Sequence, residues 1–252
     1  MALFADKVVL VTGSSRGIGA AIARAFAREG ADVALNYRSA GGSSEAKAGE
    51  LAVELRALGR RAAAFQADIA DREAVHRMVD AVRQEFGRLD VLVLNAARAP
   101  FKPLEKLLER EIRQLVDTNY IGHLLCIKET LPLLEAAGGS VVFISSLGSR
   151  FYNPSYPLGS MKAAMESVVR DCGETLGPRG VRVNAVCGGI VKTDSFKTLR
   201  LLWDGLDRIP EALCVEPEEI AGAVLFLCSP AARGVRGQTL VVDRGLGNRL
   251  LR

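Results

Sequence analysis

The 252-residue chain predicts one α/β domain, a doubly wound Rossmann fold whose parallel sheet of seven strands carries helices on both faces. Three observations lead there. Apolar runs such as Val8-Val9-Leu10-Val11 lack alternation, as strands buried on both faces do. Amphipathic helical stretches separate these runs at βαβ spacing. Between the first run and the first helix lies a glycine turn, Thr12-Gly13-Ser14-Ser15-Arg16-Gly17-Ile18-Gly19. With 49% apolar residues, the chain suffices for one large core and is too short for two full-sized domains.

The glycine turn predicts a dinucleotide site. Gly13 permits a sharp turn at positive φ, Gly17 admits backbone close to a phosphate, and Gly19 allows close helix–strand packing. The N–H groups of the first helical turn then face the anion. Residues 31–36 form a second strand, and its end lies where the ribose of a bound dinucleotide sits. No acidic residue stands there to accept a free 2′-hydroxyl. The segment Asn36-Tyr37-Arg38-Ser39 follows instead, and Arg38 with Arg16 suits a 2′-phosphate, hence NADP(H).

Residues 40–44 read as a loop, with Ser44 as N-cap of a helix through Leu51, Leu55 and Leu58. A strand at 62–67, a helix at 71–86 and a strand at 91–94 follow. Asp68 is placed to accept from an adenine amino group with Ile69 packed on the ring; otherwise Asp68 or Asp71 caps the next helix. A long helix is expected over 109–136, with Asn119 inside it. A mid-helix asparagine marks a kink, a water site or a solvent-facing amide. Strands at 141–144, 181–186 and 238–243 and a helix at 217–228 complete the pattern. The segment 194–213, which includes Trp203, reads either as a lid over an apolar substrate or as a surface helix pair; the lid spans about 190–214.

Composition narrows the function. The net charge of +4 is spread over 33 basic and 29 acidic side chains without a basic block, which argues against nucleic acid. No apolar run approaches the ~18 residues of a membrane span, and the seven residues before the first strand leave no space for a signal sequence. Five scattered cysteines without a C-x-x-C pair read as reduced core residues of a cytoplasmic protein. With His76 and His123 far apart, no metal site is expected.

Thr12-Gly13-x-x-x-Gly17-x-Gly19, Asp68-Ile69 and Asn95-Ala96-Ala97 resemble, in order and spacing, the short-chain dehydrogenase/reductase family over essentially the whole chain. Leu94 and Ala97 depart from that family's Asn-Asn-Ala-Gly. The resemblance implies that Ser15, Arg16, Ile18, Asn95, Ala96, Val191 and Thr193 contact the cofactor, with the Val191 backbone on the nicotinamide amide. It also implies that Asn119 holds a water relaying protons to Lys162. The family's usual Tyr-x-x-x-Lys would need tyrosine at 158, where Leu158 stands. Ser145-Ser146-Leu147-Gly148-Ser149, Gly188-Gly189 and a tyrosine further from the lysine resemble type III enoyl-acyl-carrier-protein reductases, although Tyr156 and Lys162 have one intervening residue fewer than that subgroup.

Six residues apart on one helix, Tyr156 and Lys162 would point about 120° away from each other. Pro157 biases Tyr156 out of the α region and favours a helix start, so only Lys162 is expected on the helix. With that geometry the resemblance implies a catalytic set of Tyr156, Lys162, Asn119 and Ser146, with Tyr152 as an alternative proton donor. The resemblance implies an NADPH-dependent enoyl-thioester reductase. Its substrate would be a coenzyme A or acyl-carrier-protein thioester, the carrier being acidic. A carbonyl reductase of 3-oxoacyl groups and a non-catalytic NADP-binding protein are the alternatives. Apolar residues beyond one stripe, Leu125 and Cys126 on one helix and Met165, Val168 and Val169 on another, predict a homotetramer. Arg244, where many relatives have glycine, has no role in this reading.

Overall fold

A computed structural model describes residues 2–151, 156–194, 196, 200 and 209–250. The seven expected strands are present: β1 (Val8–Val11), β2 (Asp32–Tyr37), β3 (Ala62–Gln66), β4 (Val91–Leu94), β5 (Ser140–Ser146), β6 (Arg182–Gly188) and β7 (Thr239–Val242). All pair in parallel in the order β3-β2-β1-β4-β5-β6-β7. The order reverses between β1 and β4, which opens a crevice at their carboxyl ends.

Successive strand residues feed opposite layers. Val9 and Val11 pack with Val33, Leu35, Val142 and Ile144 under α1 (Gly17–Arg28), α2 (Ser43–Ala57) and the helix Pro217–Cys228. Val8 and Leu10 pack with Leu92, Val141 and Phe143 under α3 (Arg72–Phe86) and the helices over 122–137 and 158–176. Burying both faces is what makes the strand runs continuously apolar.

Three local expectations change. The first helical residue of α2 is Ser43, with Gly42 at the N-cap; Ser44 Oγ instead donates to the Ser39 carbonyl at 3.3 Å. Glu45 accepts from the Gly41 N–H at 2.6 Å and takes over the role of a cap. The long helix expected over 109–136 is present and helical throughout, but a π-helical turn over Asp117–Ile121 divides it into α4 (Glu109–Val116) and α5 (Gly122–Ala137). The cause is Asn119, whose Nδ2 donates to the Leu115 carbonyl at 2.8 Å and the Arg98 carbonyl at 2.7 Å. Finally, Cys126, Met165 and Val169 do not lie on a free face; each is buried in the chain's own core. Leu125 and Val168 stay partly exposed. No helix among the described residues is long and apolar enough to cross a membrane.

Candidate active site

A cleft of about 1120 Å3 runs along the carboxyl ends of the central strands. Its first wall is the glycine turn. Gly13 and Gly17 take φ of 62° and 56°, in the left-handed region, and a Cβ on Gly13 would lie 2.8 Å from Ala96 Cα. Asn95 bolts this turn to β4: its Nδ2 donates to the carbonyls of Thr12 at 3.0 Å and Gly13 at 2.9 Å. Thr12 Oγ1 accepts from the N–H groups of Asn95 at 2.9 Å and Ala96 at 3.1 Å. Asn36, grouped in the sequence with the ribose end, has its side chain tied into the fold. Its Oδ1 accepts from the Gly13 N–H at 3.0 Å and its Nδ2 donates to the Ala67 carbonyl at 3.0 Å, so it braces the turn.

Ser15, Arg16, Gly17, Ile18, Arg38, Asp68, Ile69, Asn95, Ala96, Lys162, Val191 and Thr193 all line the cleft together with Gly13. Gly19 does not; it lies behind the turn. Ser39, Ser43, Ser44 and Lys47 join Arg16 and Arg38, which puts the first turn of α2 in the cationic end. The sequence places this helix start two residues late, at N-cap Ser44, and does not assign it to the cleft, for which Lys47 one turn later was the available signal. Asp71 caps α3, accepting from the N–H groups of Glu73 at 2.9 Å and Ala74 at 3.1 Å, which leaves Asp68 on the cleft. The bridge between Val191 and Val215 bonds through Ile190 and Lys192, so Val191's own N–H and carbonyl point away from Val215.

At the other end Ser146, Tyr156 and Lys162 line the same stretch of the cleft. Tyr156 precedes α6 (Leu158–Leu176), Pro157 takes the N-cap position, and Lys162 rises from the helix's first turns. Leu158, at the place of the family's usual tyrosine, is buried. Tyr156 stacks on Phe101, with ring centroids 6.0 Å apart and planes at 25°. Its other neighbour is Gly148, where a Cβ would come within 2.8 Å of the ring. An off-helix tyrosine thus takes its orientation from tertiary neighbours. Burial raises its pKa, while the facing Ser146 hydroxyl lowers it. The two hydroxyls face without a well-formed bond, and Ser146 Oγ is buried with no hydrogen-bond partner among the described residues. Tyr152 lies outside the described residues.

Lys162 Nζ donates to the Ile144 carbonyl at 2.6 Å and sits 4.6 Å from the centroid of the Phe143 ring. Burial lowers its pKa to about 8, against the raising effect of Cys187 and Glu166. His123, packed edge-on to Phe143, is buried and is pushed down to about 3 by burial and by Lys162. Asn119 is fully buried and does not line the cleft; its Oδ1 accepts from the Arg98 N–H at 3.0 Å, and its neighbour Thr118 reaches the cleft. Of the lid segment, residues 195, 197–199 and 201–208, Trp203 included, lie outside the described residues. Phe101, Leu147, Phe151, Ile190, Ile209 and Leu246 make the cleft's wall apolar there.

Residues 13–247 match a family model described as enoyl-(acyl carrier protein) reductase. The chain is 36% identical over 247 residues to 1-cyclohexenylcarbonyl-CoA reductase of Streptomyces collinus, covering 95% of this chain and 86% of that protein. It is also 36% identical over 244 residues to a 3-oxoacyl-(acyl-carrier-protein) reductase of Staphylococcus aureus, covering 95% and 98%. A short-chain dehydrogenase from Burkholderia cenocepacia, solved in complex with NADP, superposes with a TM-score of 0.86 at 33% identity, covering 98% of this chain and 99% of that one. Fold, turn chemistry and relatives agree: the chain belongs to the short-chain dehydrogenase/reductase family of oxidoreductases.

Proposed function

We propose that the protein is an NADPH-dependent reductase of enoyl thioesters. The observation that carries this reading is Tyr156 seated in the cleft ahead of α6, with buried Leu158 filling the helical tyrosine position. A tyrosine set further from the lysine than the family's usual spacing resembles the enoyl reductases, although one residue short of their spacing, and the matched family model and the Streptomyces collinus relative support the reading.

NADP(H) fits the cleft. Gly17 has no Cβ where the pyrophosphate would pass, and the first turn of α1 offers free N–H groups there. Arg16, Arg38 and Lys47 stand at the 2′-phosphate position, and no carboxylate ends β2. Bound there, NADPH supplies the hydride. The chain's own groups do the rest. Asp68 and Ile69 hold the adenine end, and Val191 and Thr193 orient the nicotinamide end. As the β-carbon takes up the hydride, the Tyr156 hydroxyl stabilises the enolate oxygen of the thioester and gives it a proton; the enol then gains a proton at its α-carbon and loses the one on oxygen, and Lys162 helps to return a proton to Tyr156. Both side-chain amide hydrogens of Asn119 are bound to backbone and its Oδ1 already accepts from Arg98, so of that side chain only the remaining Oδ1 lone pair is open to a water relay. The apolar wall takes the acyl chain, and the carrier, coenzyme A or an acidic acyl-carrier protein, extends from the mouth near Arg98.

A second reading, reduction of a 3-oxoacyl carbonyl, is favoured by the unpartnered Ser146 hydroxyl opposite Tyr156, because two hydroxyls suit one carbonyl oxygen. Steady-state assays with NADPH and either crotonyl or acetoacetyl thioesters separate the two. For enoyl reduction, Tyr156→Phe lowers turnover about 10²–10⁴-fold and Ser146→Ala less than about tenfold. Severe loss in both variants together with rapid acetoacetyl reduction selects the carbonyl reading. Tight NADPH binding without turnover of either substrate rejects both.

A further inference from the structure

Glu166 lies one helical turn beyond Lys162 on α6 and is only 8% exposed, yet no step above uses it. A carboxylate at that depth needs partners. Ser145 Oγ donates to its Oε1 at 2.5 Å and Ser149 Oγ at 2.7 Å, and Arg150 Nη2 stands 3.7 Å from Oε2. Ser149 Oγ also lies 2.9 Å from the Ser146 carbonyl. Ser145 and Ser149 flank a short loop whose middle carries the Ser146 hydroxyl and Gly148, the seat of the Tyr156 ring. The same loop touches the start of α6, where a Cβ on Gly159 would strike the Gly148 carbonyl.

We propose that Glu166 is a positioning residue for the reduction. By accepting from Ser145 and Ser149 it locks the loop that seats Tyr156 and Ser146 onto the helix that carries Lys162. The outer serines of Ser145-Ser146-Leu147-Gly148-Ser149 are then explained by their carboxylate, whichever double bond is reduced. The activity test rests on the reductase reading; the exchange test below does not.

Glu166 also supplies charge. Lys162 is faced by Glu166 on its own helix, by Cys187 on β6, by His123 on α5 and by the Phe143 ring on β5; Arg150 and Asp243 stand near Cys187. Of these groups, Glu166 and Cys187 raise the ammonium's pKa against burial. Glu166→Gln keeps the Oε1 acceptor and removes the charge, whereas Glu166→Ala removes both.

The test is steady-state kinetics over pH on both variants, with NADPH titration and hydrogen exchange of the amides at 145–150. Glu166→Ala is expected to lower kcat about 10- to 100-fold with NADPH affinity unchanged, as a misplaced catalytic group does. Exchange at 145–150 speeds up in the same variant. Glu166→Gln is expected to recover most of kcat, while the alkaline limb of kcat/KM, set near 8 by Lys162, moves to lower pH. A purely structural contact would not move that limb. Wild-type kcat in Glu166→Ala, or equal impairment of the two variants with the limb unmoved, overturns the proposal. Should Glu166→Ala not fold, Ser149→Ala takes its place with the same expected loss. If the native protein binds NADPH but reduces neither thioester, the functional reading fails, and unchanged exchange at 145–150 in Glu166→Ala would overturn this one separately.

Discussion

Arg38 follows β2 where a dinucleotide's ribose comes to rest, and its side chain is exposed on the cleft beside Arg16 and Lys47. A charged hydrogen bond contributes about 1.5–3 kcal/mol, so Arg38→Ala should weaken NADPH binding roughly 10- to 150-fold and leave NADH nearly unchanged. Fluorescence titration with both nucleotides checks this; equal losses would remove the 2′-phosphate assignment. This much was legible because the signal is one of residue type, a missing acid and two arginines. Other residues were not. Gly189 reads in the sequence as half of a subgroup marker, but a Cβ there would lie 2.8 Å from Asp243 Cα, so close packing requires glycine for any substrate. Arg244 adopts φ of 50°, the region where glycine is at ease, and its guanidinium grips the Glu219 carboxylate at 2.5 and 3.0 Å. Backbone conformation, which composition does not reveal, explains why glycine is usual there.

At the scale of elements, the β1 turn and α1 work as one piece with β4. A Cβ on Gly19 would lie 2.5 Å from Asn95 Nδ2 and 2.6 Å from the Gly13 carbonyl, so neither backbone nor bolt can stay in place. Gly19→Ala is expected to cost about 1–3 kcal/mol, as overpacking does, and to abolish tight NADPH binding through the displaced turn. Gly49→Ala is the control. It sits exposed within α2 with open space around it, and the change should stabilise by about 0.5–1 kcal/mol. Thermal melts of the two variants moving in the same direction would refute this account. The boundaries of β1, α3, β4 and the helix Pro217–Cys228 follow from periodicity and caps that the sequence displays. The π-helical turn between α4 and α5 does not, because the Asn119 amide finds its second partner only where the Arg98 backbone packs against it.

For the whole molecule, a homotetramer is expected in which surfaces around α4 to α6 and the β7 edge meet their symmetry mates. Leu108, Ile112 and Ile121 on one side and Phe226, Leu240 and Val241 on the other are large apolar residues left exposed. Light scattering at micromolar concentration should give about four times 27.0 kDa; a monomer of 27.0 kDa would end the idea. Burial had already removed Cys126, Met165 and Val169 from that surface, since periodicity along a helix cannot tell an internal partner from an external one. The chain by itself determined the strands, the glycine turn, the absence of an acid after β2 and the place of Lys162 on its helix, because each depends on neighbours within a few residues. Tertiary structure alone decided how Tyr156 is aimed between Phe101 and Gly148, where Asn36 and Asn119 spend their amides, and what holds Glu166. Most of those contacts, Tyr156 with Phe101, Asn36 with Ala67, Asn119 with Arg98 and Glu166 with Ser145, join segments more than twenty residues apart, and only the packed fold brings them within hydrogen-bonding or van der Waals distance.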